Sequence, residues 1–358
     1  MLGDEDTGTS AKSTGLNSVQ RTYFEQEFCK QKTVSCIRFH PTKEHLVAIA
    51  LVEYFKQYED RVNLMGLSFE SYVLILNFKD PAIITLNYIL QTPVEITTIE
   101  FHPENPRVMV GGAINGQVII WDLGSVDHRI TTGRKPTVAK MPDEEEDKTQ
   151  QTAVKLKQLI LSNIERSHKN FVADIQFIPK NVRVDKRNAP DGHQWFFMSC
   201  SEDAWVHIWD TRSVTVEALS AHVKRFEWTP HMSVNLYRMD GSGEVGLSRL
   251  LFQADQNTTT FYGASEEGDM LYIDWSIKPI GDDNKIAENV RTQRDSERNY
   301  RPVLALERSP FYSDLVMTIH DFHFAIWKTS IETQEDPIYR SAMSFGTHNT
   351  CGAFSPSR

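Results

Sequence analysis

Cysteine is scarce. Cys29, Cys36, Cys200 and Cys351 are the only four, and they stand far apart. That excludes a small disulfide framework and any metal site built on closely spaced thiolates. Cys36, Cys200 and Cys351 fall in strand-like or near-strand stretches, where a thiol behaves as a small buried hydrophobe and suits a reducing compartment. Positive charge is in deficit: 38 Lys and Arg face 48 Asp and Glu, a formal net charge of −10. This argues against nucleic acid or an anionic membrane as the main partner. No apolar run approaches the ~20 residues of a spanning helix. The first fifteen residues are polar and acidic, unlike a secretory signal. No nucleophile elbow, phosphate loop or HExxH motif occurs. The one glycine-rich match to a dinucleotide fingerprint is Gly241-Ser242-Gly243-Glu244-Val245-Gly246. Too few residues follow it, before Asp255-Gln256-Asn257, to make the helix that fingerprint needs, so it reads as a loop. The 12 His are scattered and offer no ligand set. No catalysis, metal or cofactor is expected.

What is present is repetition. The stretch from Trp195 to Asp210 has two aromatic and β-branched runs, Trp195-Phe196-Phe197-Met198 and Trp205-Val206-His207-Ile208-Trp209. A polar turn, Ser201-Glu202-Asp203, separates them, and the whole reads as a β-hairpin. Similar endings recur at Ile119-Ile120-Trp121-Asp122, Tyr272-Ile273-Asp274-Trp275 and Ala325-Ile326-Trp327-Lys328. A Phe-x-Pro element ends the preceding strand at Phe101-His102-Pro103, Phe177-Ile178-Pro179 and Phe354-Ser355-Pro356. Phe39-His40-Pro41 opens the series, and Trp228-Thr229-Pro230 and Arg308-Ser309-Pro310 are looser copies. An acid or amide stands six residues before each Trp position: Asn115, Asp203, Glu267 and Asp321.

These units resemble the blades of WD-repeat proteins. The resemblance implies an all-β chain, a WD-repeat β-propeller over residues 25–358; the segment at 1–24, Ser/Thr/Gly-rich in its first twenty residues, is expected to be disordered. The resemblance also implies a structural network in which Asp203 accepts from Trp209 and His168, with Ser199 or Ser201 as a third partner. Asn115 with Trp121, and Asp321 with Trp327, would be its counterparts. A buried indole N–H needs an acceptor, so the set is expected to hold structure. Gly346 to Pro356 reads as the first strand of a further unit just before the chain stops. The propeller is therefore expected to be incomplete at its C-terminus, and the chain a fragment.

Spacing locates insertions. Trp121 and Trp209 are 88 residues apart, against roughly 40–45 for a bare unit. The excess, at about 124–167, holds an acidic run from Asp143 to Asp147. It also holds a segment from Thr152 to Glu165 in which Val154, Leu156, Leu159, Ile160 and Ile164 fit one helical face. A short helical insertion is expected, either packed on its own blade or presenting Leu156, Leu159, Ile160 and Ile164 to a partner. Asn181 to Gly192 forms a smaller insertion, and Lys278 to Arg301 reads as a charged mobile loop.

Arg301-Pro302-Val303-Leu304-Ala305-Leu306-Glu307-Arg308-Ser309-Pro310-Phe311-Tyr312-Ser313-Asp314, followed by Trp327, resembles the late repeats of dynein intermediate chains. So do Cys351 to Arg358 and Glu266 to Trp275, and the likeness is nearest to the axonemal inner-arm chains. It implies a non-catalytic subunit of cytoplasm, cytoskeleton and cilium axoneme. Such a subunit docks on a dynein heavy chain beside the other intermediate chain of the same arm and supports arm assembly. Family members bind light chains through a long N-terminal segment, which residues 1–24 do not match, so light-chain binding is not carried over. The other reading is a cytosolic WD scaffold for an actin-regulating complex or a ubiquitin ligase.

Overall fold

The structure, a computed structural model, describes residues 27–54, 69, 71–80, 84–124, 153–184, 191–214, 227–253, 256–277, 287–293, 301–330, 336–341 and 348–355. The segment 1–24 and the acidic run Asp143 to Asp147 lie outside the described residues.

The strands come in order. β1 (Lys32–Phe39), β2 (Leu46–Glu53), β3 (Ser71–Asn77) and β4 (Thr85–Thr92) form an antiparallel meander. β5 (Ile96–Phe101), β6 (Val108–Ala113) and β7 (Val118–Asp122) begin a second sheet. The chain then returns as β8 (Val154–Lys157), which adds parallel to β4 at the outer edge of the first sheet. β9 (Ile160–Leu161) follows at the outer edge of the second, against β7. β10 (Val172–Phe177), β11 (Phe196–Ser201), β12 (Trp205–Asp210) and β13 (Met232–Asn235) make the third sheet. β14 (Tyr237–Arg238) crosses to the fourth sheet and pairs parallel with its outer strand. That sheet is completed by β15 (Leu247–Leu251), β16 (Thr260–Ser265), β17 (Met270–Asp274) and β18 (Glu288–Gln293). The fifth contains β19 (Ala305–Arg308), β20 (Leu315–Ile319), β21 (Phe324–Lys328) and β22 (Tyr339–Arg340).

The core lies between successive sheets. Ile75 and Leu90 of the first meet Ile99 and Trp121 of the second, and Val110 and Ile120 meet Ile175 and Trp209 of the third. Cys200 and Val206 meet Leu247, Phe261 and Ile273, and Met270 meets Leu306 and Trp327. Inner strands are buried on both faces, which is why Val118–Asp122 and Trp205–Asp210 lack clean polar alternation. Each such side chain withdrawn from water contributes about 1.5–3 kcal/mol.

The first strands of the first four sheets all carry a register break, at Val34/Cys36, Ile96/Thr98, Val172/Asp174 and Leu247/Arg249. A bulge leaves one residue unpaired and re-aims its side chain. Ser35 uses this to donate to the Ile96 carbonyl at 2.8 Å, Thr97 to Val172 at 2.6 Å and Ser248 to Val303 at 2.8 Å. Each hydroxyl therefore latches its sheet to the next.

The fold corrects the sequence reading. A WD-repeat β-propeller, incomplete at its C-terminus and with a helical insertion, is not what forms. The described residues form five open, unclosed sheets with almost no helix. No strand of the fifth sheet is hydrogen-bonded into the first, so no ladder closes the row among the described residues. The only described helical pieces are two three-residue 3-10 turns, Ile164–Arg166 and Arg212–Val214. The segment expected to be helical is β8, β9 and the first of these turns. Val154-Lys155-Leu156-Lys157 alternates with period two, and the outer edges of β4 and β7 offer unpaired backbone groups for it to complete. Residues 288–293, within the expected mobile loop, are β18. Residues 348–355 form no strand; Phe354 instead packs near Ala305, Met317 and Ile319 of the fifth sheet.

Candidate functional site

The hairpin β11–β12 and the segment before β10 assemble a buried polar chain. His168 Nδ1 is 3.2 Å from both Asp203 carboxylate oxygens, and its Nε2 is 2.9 Å from Ser199 Oγ. The Trp209 indole N–H donates to the same Oγ at 2.9 Å. Asp203 also accepts from the backbone N–H of Lys169 and Trp205. Burial alone would raise the Asp203 carboxyl, but the His168 bond and these amides hold it below the usual carboxylate range. The order differs from the sequence expectation. Trp209 does not reach Asp203; Ser199 stands between, and Ser201 turns away to the Phe171 carbonyl.

Ser199, His168 and Asp203 share the connectivity of a hydrolytic triad. Ser199 is fully buried, His168 is 2% exposed, and Oγ already accepts from an indole. A nucleophile needs an approach path for its substrate, and this fully buried serine has none. The arrangement fastens a hairpin.

The other sheets solve the same problem with different residues. Trp327 donates to Thr318 Oγ1 at 2.9 Å, and His320 Nε2 lies 3.3 Å from that hydroxyl. Asp321 is not part of this set; it makes an ion pair with Arg301 at 3.3 Å. Thr318 lies two residues beyond the strand partner of Trp327, as Ser199 lies two beyond Phe197, the partner of Trp209. The matching residue in the second sheet is Gly111, so Trp121 finds no hydroxyl and its buried Nε1 has no partner. Asn115 bonds Gln117 instead of Trp121. In the fourth sheet Arg238, 4% exposed, binds Asp269 at 2.9 Å and Glu267 at 2.7 Å. Sequence reading missed Arg238. It stands on a two-residue strand outside every repeat signature, and only its burial among carboxylates reveals it.

A second polar junction joins the first strands. Arg38 Nε donates to Glu100 at 2.8 Å, and its Nη2 lies 3.7 Å from Asp174, so one side chain touches three sheets. Burial works against its charge, but the neighbouring acids outweigh this and raise its pKa further. Glu100 is itself raised by burial, and Arg38 only partly offsets the effect. Arg249 of the fourth sheet makes a similar tie, donating to Leu304 O, just before the fifth sheet, at 2.8 Å and to Ala173 O of the third at 3.1 Å. Ala173 sits at the third bulge, where no hydroxyl is available to latch, and Arg249 ties that place from the other side.

The four residues expected on a docking helix separate. Leu156 is buried against the first and second sheets, Leu159 and Ile160 pack partly buried between the second and third, and Ile164 is 58% exposed. No single face presents all four. Among the described residues no group of three or more His, Cys, Asp or Glu could hold a metal ion, and no helix is long and apolar enough to cross a membrane.

Comparison with known proteins follows the same residues. A family model described as the dynein axonemal intermediate chain 3 WD40 domain matches residues 16–236 and 235–358. Dynein axonemal intermediate chain 3 of Danio rerio is 24% identical over 92% of this chain and 40% of its own length. The Homo sapiens protein of that name is 22% identical over 92% and 45%. Dynein axonemal intermediate chain 2 of Rattus norvegicus is 24% identical over 92% and 42%. The chain thus spans less than half the length of these curated relatives. Membership accords with a non-catalytic chain. With a match that runs over nearly all of its length, the chain belongs to the dynein axonemal intermediate chain family.

Proposed function

We propose that this chain is a non-catalytic intermediate-chain subunit of an axonemal dynein of the inner arm. It docks on the tail of a heavy chain, beside a second intermediate chain, and supports arm assembly and ciliary motility. The observation that carries this reading is the family match, which runs through all five sheets and not through one repeat alone. The polar networks support it in kind: the most buried titratable groups are spent on joining strands and sheets, leaving a rigid body for protein contacts. Light-chain binding is not assigned to it.

The test is expression of the tagged chain in ciliated cells, followed by axoneme extraction and mass spectrometry of the purified complex. Recovery with an inner-arm heavy chain and a second intermediate chain is expected, with the tag along the axoneme. Recovery with actin regulators or ubiquitin-ligase subunits, and a tag confined to the cell body, would overturn the reading.

A further inference from the structure

β15, the first strand of the fourth sheet, pairs only with β16, so its other edge carries backbone groups in need of partners. β10 of the third sheet answers with side chains in place of a strand. Asp174 and Gln176 stand two residues apart and share one side of β10. The Leu250 N–H donates to Asp174 Oδ2 at 3.0 Å. Gln176 Nε2 donates to the Leu250 carbonyl at 2.6 Å, and the Phe252 N–H donates to Gln176 Oε1 at 3.2 Å. The second carboxylate oxygen, Asp174 Oδ1, lies 3.7 Å from Arg38 Nη2 of the first sheet. One carboxylate thus serves two sheets, neither of them its own. Asp174 is 3% exposed and Leu250 fully buried, whereas the Arg38 side chain is 37% exposed. A buried carboxylate needs a counter-charge. Among the described residues the one ion pair of Asp174 is with Arg38, while Arg249 donates to the carbonyls of Ala173, Ser248 and Leu304. The first and fourth sheets share no ladder and no apolar cluster among the described residues, so Asp174 is the polar path between them.

We propose that Asp174 couples the first sheet to the fourth, with Arg38 as the solvent-facing end of the link and the Leu250 amide as its buried end. Withdrawing the guanidinium leaves the carboxylate buried and uncompensated. Water then enters to solvate it, or it takes up a proton, and either change loosens its hold on the Leu250 N–H, since a charged acceptor makes the stronger bond. A group that draws Arg38 away, such as an anion reaching its exposed side, is therefore felt in β15. Glu100 does not carry the link. It accepts from the same guanidinium at 2.8 Å and so competes with Asp174 for it. The coupling is a property of the folded chain and does not depend on which partner the chain binds.

The test is hydrogen exchange of the full chain, resolved to single amides, because exchange reports local opening. Arg38→Met keeps the stem and removes the charge. It is expected to speed exchange of the Leu250 amide about tenfold, and to leave the Leu271 amide of β17, in the same sheet, near its wild-type rate. Asp174→Asn keeps an acceptor for the Leu250 N–H and removes the charge, and a similar acceleration is expected. In the Asp174→Asn background, Arg38→Met should add nothing further, because the group through which it acts is gone. Glu100→Gln breaks the pair between the first and second sheets and leaves Arg38 charged, so Leu250 should stay as protected as in wild type. Arg38→Lys gives a second reading should Arg38→Met not fold: it keeps the charge on a shorter side chain, and about threefold acceleration at Leu250 is expected. An unchanged Leu250 rate in the Arg38 variants would overturn the proposal. So would equal acceleration of Leu250 and Leu271, which is general destabilisation, or full additivity in the double variant. Acceleration at Leu250 by Glu100→Gln as large as that by Arg38→Met would also overturn it, since loosening the first sheet would then suffice.

Discussion

The Thr97 hydroxyl lies 2.6 Å from the carbonyl oxygen of Val172, joining two sheets that share no backbone ladder. The Thr97 hydroxyl oxygen is also 3.0 Å from the Gly112 carbonyl oxygen of its own sheet. Thr97→Val keeps the shape and removes the donor. A loss of about 1–3 kcal/mol is expected, the cost of an unpaired buried acceptor, read as a lower urea midpoint at unchanged slope. A midpoint equal to wild type would show that the latch carries no stability.

Ser199 serves two partners at once, so Ser199→Ala strands both the Trp209 N–H and the His168 ring. It is expected to cost more than Thr318→Ala, where the second contact, to His320, is long at 3.3 Å. Thermal melts of the two variants in one buffer decide this; a larger drop for Thr318→Ala would count against the assignment.

Asp203→Ala should destabilise more than Asp321→Ala. Asp203 holds a ring nitrogen and two backbone amides in a buried place, whereas Asp321 is paired with the exposed Arg301. Exposed pairs contribute about 0–1 kcal/mol, and losing a buried acceptor costs about 1–3 kcal/mol. Equal melting temperatures for the two variants would contradict the distinction.

Gly111→Ala should destabilise although alanine is the stiffer residue in the unfolded chain. A Cβ at Gly111 would stand 2.6 Å from Trp121 Cη2, with the backbone in an ordinary conformation. Overpacking of this kind costs about 1–3 kcal/mol. The double variant Gly111→Ala with Trp121→Phe should recover part of the loss, since the smaller ring withdraws from the clash.

Acid should unfold the chain early. Burial, with the His168 ring beside it, lowers the pKa of His207 from 6.5 to about 3. Burial and His323 lower that of His320 to about 4. A folded value below the unfolded one favours the neutral ring in the native state. The stabilisation is therefore complete above pH 6.5 and lost as pH falls towards about 3 and about 4. Within that window each ring contributes a slope of up to about 1.4 kcal/mol per pH unit. Asp203, held low, adds loss of the same sign. Urea midpoints at pH 7, 5.5 and 4.5 should fall steadily, and His207→Gln should flatten the profile.

Much of the fold was legible because hairpins are local. The alternation around Ser201-Glu202-Asp203 places β11 and β12, and Phe-x-Pro ends β5 at Phe101 and β10 at Phe177 because proline cannot extend the ladder. The segment from Val154 to Ile164 was misread. Its apolar residues fit period 3.6 and period two alike over so short a run, and the free edges of β4 and β7 decided between them.

The sequence by itself determined where most inner strands begin and end, since hairpins are local, and which family the chain joins, since its motifs recur along nearly the whole length. Tertiary structure decided who bonds whom. Trp209 looked to Asp203 by spacing, yet the cross-strand pairing put Ser199 between them. Arg249 meets Ala173 across 76 residues, and Arg38 meets Glu100 across 62. Such contacts leave no local pattern. A lone arginine reads as a surface charge until the sheets pack around it and desolvation forces it to find an acceptor.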